Sequence, residues 1–212
     1  NSMQLFCFDS YGLFITTTPA TITSHGEESG EFTATIPANT RRIHFIANQN
    51  MTDFQEDEFR NKSEADVIAL LEGSSGMMIY WARFACDANN EESIDQQLAK
   101  NPNIIMIRNQ AKITIDNPTG NGYLVVTGFT AYNTNAFGTV APYHPTKGWV
   151  WSSNADVEPF VTLPANDAKL SDIQDVQDIS QNPELYVFEC ENSSEDPVSV
   201  IIRGYLPGES EE

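Results

Sequence analysis

Residues 31–47 read EFTATIPANTRRIHFIA. Phe32, Ala34 and Ile36 alternate with Thr33 and Thr35, and an apolar run resumes at Ile43 after the short link ANTRR. Strand side chains point alternately to the two faces, so this period of two predicts a half-buried strand. Pro37 has no N–H to give a sheet ladder and ends that strand. Strand, short link, strand is the unit of an antiparallel sheet, and the same pattern recurs in both directions. Residues 4–8 predict a strand, with Asp9-Ser-Tyr-Gly12 a turn after it. Residues 77–86, 123–129, 185–189 and 198–202 predict further strands. Residues 104–107 and 111–115 read as strand pattern too, compatible with one long strand carrying a local irregularity.

One segment has a helical period. Ser63-Glu-Ala-Asp66 resembles a capping box, and Val67, Leu70 and Leu71 follow at helical spacing. A short helix is expected over 64–72, with Gly73 available to stop it. Residues 87–103 are polar and read as a loop or linker. Residues 133–183 carry few apolar runs and are punctuated by Pro142, Pro145, Pro159, Pro164 and Pro183. Loops of that length on a β scaffold are where function tends to sit. The expected fold is all-β, with two β-sandwich domains at 1–102 and 103–212 and one short helix in the first.

The chain has 212 residues and a formal net charge of −19, from 30 acids against 11 bases. Hydrophobic residues make up 40%, enough for a core and too many for a wholly disordered chain. The charge argues against a nucleic-acid partner, because phosphate binding rests on Lys and Arg. It argues equally against an anionic membrane surface. No run approaches the ~18 apolar residues of a membrane span. No signal peptide is visible ahead of Leu5, and the abrupt opening at Asn1-Ser2-Met3 is read as a processed or trimmed end.

The sequence offers little chemistry. It has no GxSxG, HExxH, GxxxxGK[ST] or DxDxDG pattern, so no catalytic residue, metal or cofactor is expected, and an enzyme is not. His25, His44 and His144 lack ligand spacing. His44 alternates out of phase with Ile43 and Phe45, which predicts a solvent-facing strand residue. Cys7, Cys86 and Cys190 each sit in an apolar stretch and read as small buried hydrophobes. The acid run Glu56-Asp57-Glu58 reads as a solvated face ahead of a helix. Acids are too common in the chain for any pair to stand out as a glycosidase site. Tyr80-Trp81 and Trp149-Val150-Trp151 either fill a core or present a sugar-stacking face, the two tryptophans of the latter falling on one side of a strand. On the second reading the chain is a glycan-binding surface module using Trp149, Trp151, Tyr143 or Tyr132. Three Asn-x-Ser/Thr triplets in which x is not proline begin at Asn50, Asn61 and Asn192.

Several segments, in order, resemble the Bacteroidales fimbrillins, the subunits of type V pili. IPANTRRIHFIANQN is similar to an early family strand, and MQLFCFDSYGLF to a strand near the start of the first domain. IIMIRNQAKITIDNPTGNGYLVVTGFTAYNTNAFGTVAPY resembles the opening of the second, with Arg108, Ala111, Lys112, Tyr132, Asn133, Gly138 and Pro142 at matching places. LYVFECENSSEDPVSVIIRGYL resembles a paired-strand motif, through Tyr186, Val187, Phe188 and Glu189, then Ile201, Ile202, Gly204 and Tyr205.

The resemblance implies two transthyretin-like β-sandwich domains and a non-enzymatic structural role in a surface fimbria, pilus or adhesin. It implies export as a lipoprotein, through the outer membrane to the cell surface, and loss of a first strand to proteolysis. Other pilus subunits would then be the partners, by donor-strand exchange, with a host or bacterial receptor or glycan beyond them. Leu5, Phe6 and Phe8 are expected near the apolar floor of the assembly groove. Family members usually continue past the final strand pair, so the donor strand is assigned to no residue here. The isolated chain is expected to be soluble.

Overall fold

A computed structural model describes residues 2–26, 28–73, 77–87, 89–115, 124–141, 169–170, 177–178, 184–190, 192–195, 197–206 and 208. The strands are β1 (Met3–Phe8), β2 (Phe14–Pro19), β3 (Thr21–His25), β4 (Gly30–Thr33), β5 (Arg42–Ala47), β6 (Glu72–Gly73), β7 (Tyr80–Ala85) and β8 (Ile107–Arg108), followed by β9 (Gln110–Thr114), β10 (Val125–Tyr132), β11 (Thr134–Asn135), β12 (Gly138–Thr139), β13 (Lys169–Leu170), β14 (Gln177–Asp178), β15 (Glu184–Phe188) and β16 (Ser199–Tyr205). Helices are short among the described residues: α1 (Glu56–Phe59), α2 (Glu64–Ala69) and α3 (Ile94–Lys100). The chain is mostly β, in several antiparallel sheets.

Two compact units form, Asn1–Asn109 with Thr139–Thr162 and Gln110–Gly138 with Leu163–Glu212. The first therefore runs past 102. Its sheet is not complete until β8 has paired with β7, Tyr80 opposite Arg108 and Trp81 opposite Ile107. Residues 104–115 are accordingly not one strand. β8 belongs to the first sheet and β9 pairs with β15. Buried Asn109 stands at the break. Its N–H donates to Ile79 O, its Oδ1 accepts from Ile79 N, and its Nδ2 donates to Thr139 O.

The first unit is built on the sheet β2-β1-β5-β7-β8, antiparallel throughout. Both faces of β1 are covered, so its residues divide by parity. Met3, Leu5 and Cys7 join Ile43, Phe45, Ala82 and Ile94 on one face. Phe6 and Phe8 join Phe14, Ile46, Phe59, Val67, Ile68 and Trp81 on the other. Complete burial of a phenylalanine contributes roughly 1.5–3 kcal/mol, and Phe6 and Phe8 are both fully buried.

α1 and α2 cover the Phe6 face. Ser63 caps α2, its side chain accepting from Asp66 N, and Val67, Ile68 and Leu71 turn inward. This helix stops at Ala69, short of the expected 72. The acids at 56–58 start α1 itself, where the helix dipole favours negative charge.

The Met3–Leu5 face is covered by the β3–β4 hairpin, by Ile36 and by α3. Segment 94–100 was expected to be loop and is helix. Its start is a capping box, Ser93 with Gln96 three residues on, and Ile94 is buried. β4 stops at Thr33, before the expected Ile36.

The second unit holds three sheets among the described residues, one of them the short pair β11–β13. β10 lies between β14 and β16, and β9 pairs with β15, Lys112 Nζ reaching Glu184 Oε1 at 2.7 Å. Phe129, Ala131 and Phe188 are its buried apolar residues among those described.

Candidate functional site

In the first unit an open groove of about 530 Å³ runs beside the β3–β4 hairpin. Its floor follows from register. Met3 faces Ala47, and Ala47 faces Tyr80, so three strands place one residue each in a single row at the end of the sheet. Ile22, Phe32 and the hairpin turn form one wall, and Ile104, Ile105 and Met106 the other. Phe32 fixes the hairpin, its ring packing on Phe45 at 5.9 Å between centroids and 62°.

Among the described residues β3 and β4 pair only with each other. The hairpin therefore keeps outward-facing backbone donors and acceptors on its free edges, next to apolar surface. Ile105 is 72% exposed on the opposite wall. This arrangement offers main-chain hydrogen bonds and apolar contact, which suits an extended peptide.

The opposite face of the same sheet holds a buried ionic cluster. Glu64 enters from α2. Its Oε2 accepts from Arg83 Nε at 2.7 Å, and its Oε1 accepts from Arg83 Nη2 at 3.0 Å and Arg42 Nη1 at 3.1 Å. Trp81 Nε1–H, a donor only, points at His44 Nδ1 at 2.9 Å. That nitrogen must accept, so the imidazole proton lies on Nε2 and is donated to Glu64 Oε2 at 2.9 Å.

Histidine 44 is thereby held neutral. Burial pushes its pKa down, and the nearby arginines add to this against the pull of Glu64. Burial alone would raise Glu64. The hydrogen bonds from His44 and Arg83, with the Arg83 charge, hold it well below the usual carboxylate range instead. Glu64, His44, Arg83 and Trp81 are all buried, so the cluster is a strut between α2 and the sheet.

The expectation of a solvent-facing His44 is overturned. It points away from Ile43 and Phe45 as the alternation requires, but α2 buries that second face as well. Trp81 is likewise core, fully buried, while Tyr80 stands on the groove floor. Leu5, Phe6 and Phe8 do not line the groove. Leu5 lies on the groove's face of the sheet, beneath the hairpin cluster, and Phe6 and Phe8 lie on the other face beneath α1 and α2. The three residues expected at one floor are separated by the parity of β1, and Met3 is the β1 side chain that reaches the groove.

Tyr132 ends β10, 37% exposed. Trp149, Trp151, Tyr143 and His144 lie outside the described residues. Cys7, Cys86 and Cys190 are not joined in disulfides. Cys7 is buried, and its pKa is pushed by burial up to about 11. Cys86 and Cys190 are half-buried. No grouping of His, Cys, Asp or Glu among the described residues has the makings of a metal site. No described helix is long and apolar enough to cross a membrane.

Sequence reasoning expected a groove but not the residues that line this one, and it missed the ionic strut, since each is assembled from residues of several strands. For the strut, one signal was present: Glu64 sits in the first turn of a capped helix that must dock on a sheet carrying His44 and Arg83.

No protein-family model matches the chain, and no curated protein matches it. Among solved structures, it is similar to a protein of Parabacteroides distasonis provisionally named a cell adhesion protein. The identity is 16% and the TM-score 0.55, over 99% of this chain and 67% of the other. At that identity the likeness is one of fold.

Proposed function

We propose that this chain is a structural subunit of a bacterial surface adhesion organelle, fimbrial in type, that holds its neighbour by β-strand complementation. On this reading its units are transthyretin-like sandwiches, the first lacking one strand. The protein is exported to the cell surface and does no chemistry. The observation that carries the reading is the groove over Met3, Ala47 and Tyr80, flanked by a hairpin whose strands pair only with each other among the described residues. A strand laid there gains main-chain hydrogen bonds from the hairpin and buries alternate side chains on the floor. The fold likeness to a protein named for cell adhesion, and the ordered fimbrillin-like motifs, support the same role.

The test is the state of the protein on its native surface. The expected result is recovery in filaments that resist SDS at room temperature and dissociate on boiling. Recovery as monomer alone, under all growth conditions, overturns the proposal.

A further inference from the structure

We infer that the groove selects its strand by charge, accepting an extended segment whose apolar residues alternate with Lys or Arg and refusing its acidic counterpart. The inference rests on the strand-acceptor reading above and adds the chemistry of the partner.

It comes from what the lining contains. Glu28 and Glu31 stand on the hairpin wall, and among the described residues no Lys or Arg lines the groove, Arg108 opposite Tyr80 falling outside its lining. His25 is the remaining ionisable group of the hairpin wall among the described residues. Both glutamates are exposed, and neither forms an ion pair among the described residues. No ion pair among the described residues offsets their charge.

A strand has two sets of side chains, pointing to opposite sides. With one set on the apolar floor of Met3, Ala47 and Tyr80, the other set rises past the hairpin wall and the carboxylates of Glu28 and Glu31. Basic residues there meet opposite charge at close range, and acidic residues meet like charge. The remaining negative charge of the chain steers the same choice during approach.

The experiment measures binding of two fluorescein-labelled peptides of about ten residues to the full chain by anisotropy. Both carry Val at alternate positions, with Lys at the intervening positions in one and Glu in the other. Tighter binding of the Lys peptide is expected. In the E28Q/E31Q chain that preference should fall about three- to tenfold, the scale of two exposed charge pairs. In E28K/E31K it should fall further. Circular dichroism checks that these exposed substitutions leave the fold intact.

Equal binding of the two peptides overturns the inference. So does a preference untouched by E28Q/E31Q, which would trace to the net charge of the whole chain. Failure of both peptides to bind, in all three chains, sinks the strand-acceptor reading itself.

Discussion

At the scale of single residues the informative group is Glu64. It pairs with Arg83, whose side chain is 2% exposed, so removing the carboxylate takes the counter-charge from a buried guanidinium. Glu64→Gln should cost about 3–5 kcal/mol in urea unfolding, the usual penalty for breaking a buried pair. Acid should act through the same cluster in two stages. His44 titrates at 6.5 when unfolded and lower when folded. Below pH 6.5 the unfolded state therefore binds the extra proton and stability falls. Glu64 titrates at 4.5 unfolded and lower when folded, so the same sign applies and the decline steepens below pH 4.5. His44→Gln keeps one acceptor for Trp81 and one donor for Glu64 but cannot titrate. Urea midpoints measured from pH 8 down to about 3 should lose the first stage in this variant and retain the second; an unchanged first stage would assign it to other groups. His44 also shows where sequence reading stops. Its strand parity was legible, but not the helix that buries it, because burial of a polar residue depends on a partner twenty positions away.

At the scale of elements, the sequence pattern located strands whose apolar residues alternate and overlooked those built on threonine. β1, β5, β7, β10, β15 and β16 were all legible as strands. β2 (FITTTP) and β3 (TITSH) were not, since Thr and Ser carry no burial signal. α3 was hidden by its polar composition, and its capping box was the one available sign. Ser93→Ala should lower stability by about 1 kcal/mol, the common cost of losing a cap, in a thermal melt. Gly204 is the clearest case of a sequence feature explained by an element. It pairs with Val126 where the β10–β16 register shifts. A Cβ there would collide with Val125 O and stand 3.1 Å from Val125 C and 3.2 Å from Val126 Cα. Those are backbone atoms and cannot rotate away. Gly204→Ala should therefore cost about 1–3 kcal/mol, as overpacking does, and should speed hydrogen exchange of the β10 amides; unchanged exchange would mean that the ladder absorbs the methyl.

At the scale of the whole molecule the dominant fact is the charge of −19. An open apolar groove invites promiscuous association, and a strongly acidic surface opposes it between copies of the same chain. The two effects separate by their response to salt. Repulsion between copies is long-ranged and is screened once the Debye length falls to about 10 Å, near 0.1 M salt. Apolar burial and main-chain hydrogen bonding in the groove do not weaken under those conditions. Self-association followed by light scattering should therefore be slow in about 0.01 M salt and faster by about tenfold or more in 0.15 M, the range over which electrostatic steering acts on association rates. A basic peptide in the groove should show the reverse, binding more weakly as salt rises, because its attraction to Glu28 and Glu31 is screened. Opposite slopes for the two reactions in one buffer series would mean that acidity holds copies apart while leaving the groove open to a basic strand. Parallel slopes would remove charge from the account and leave the apolar floor as the whole of the recognition.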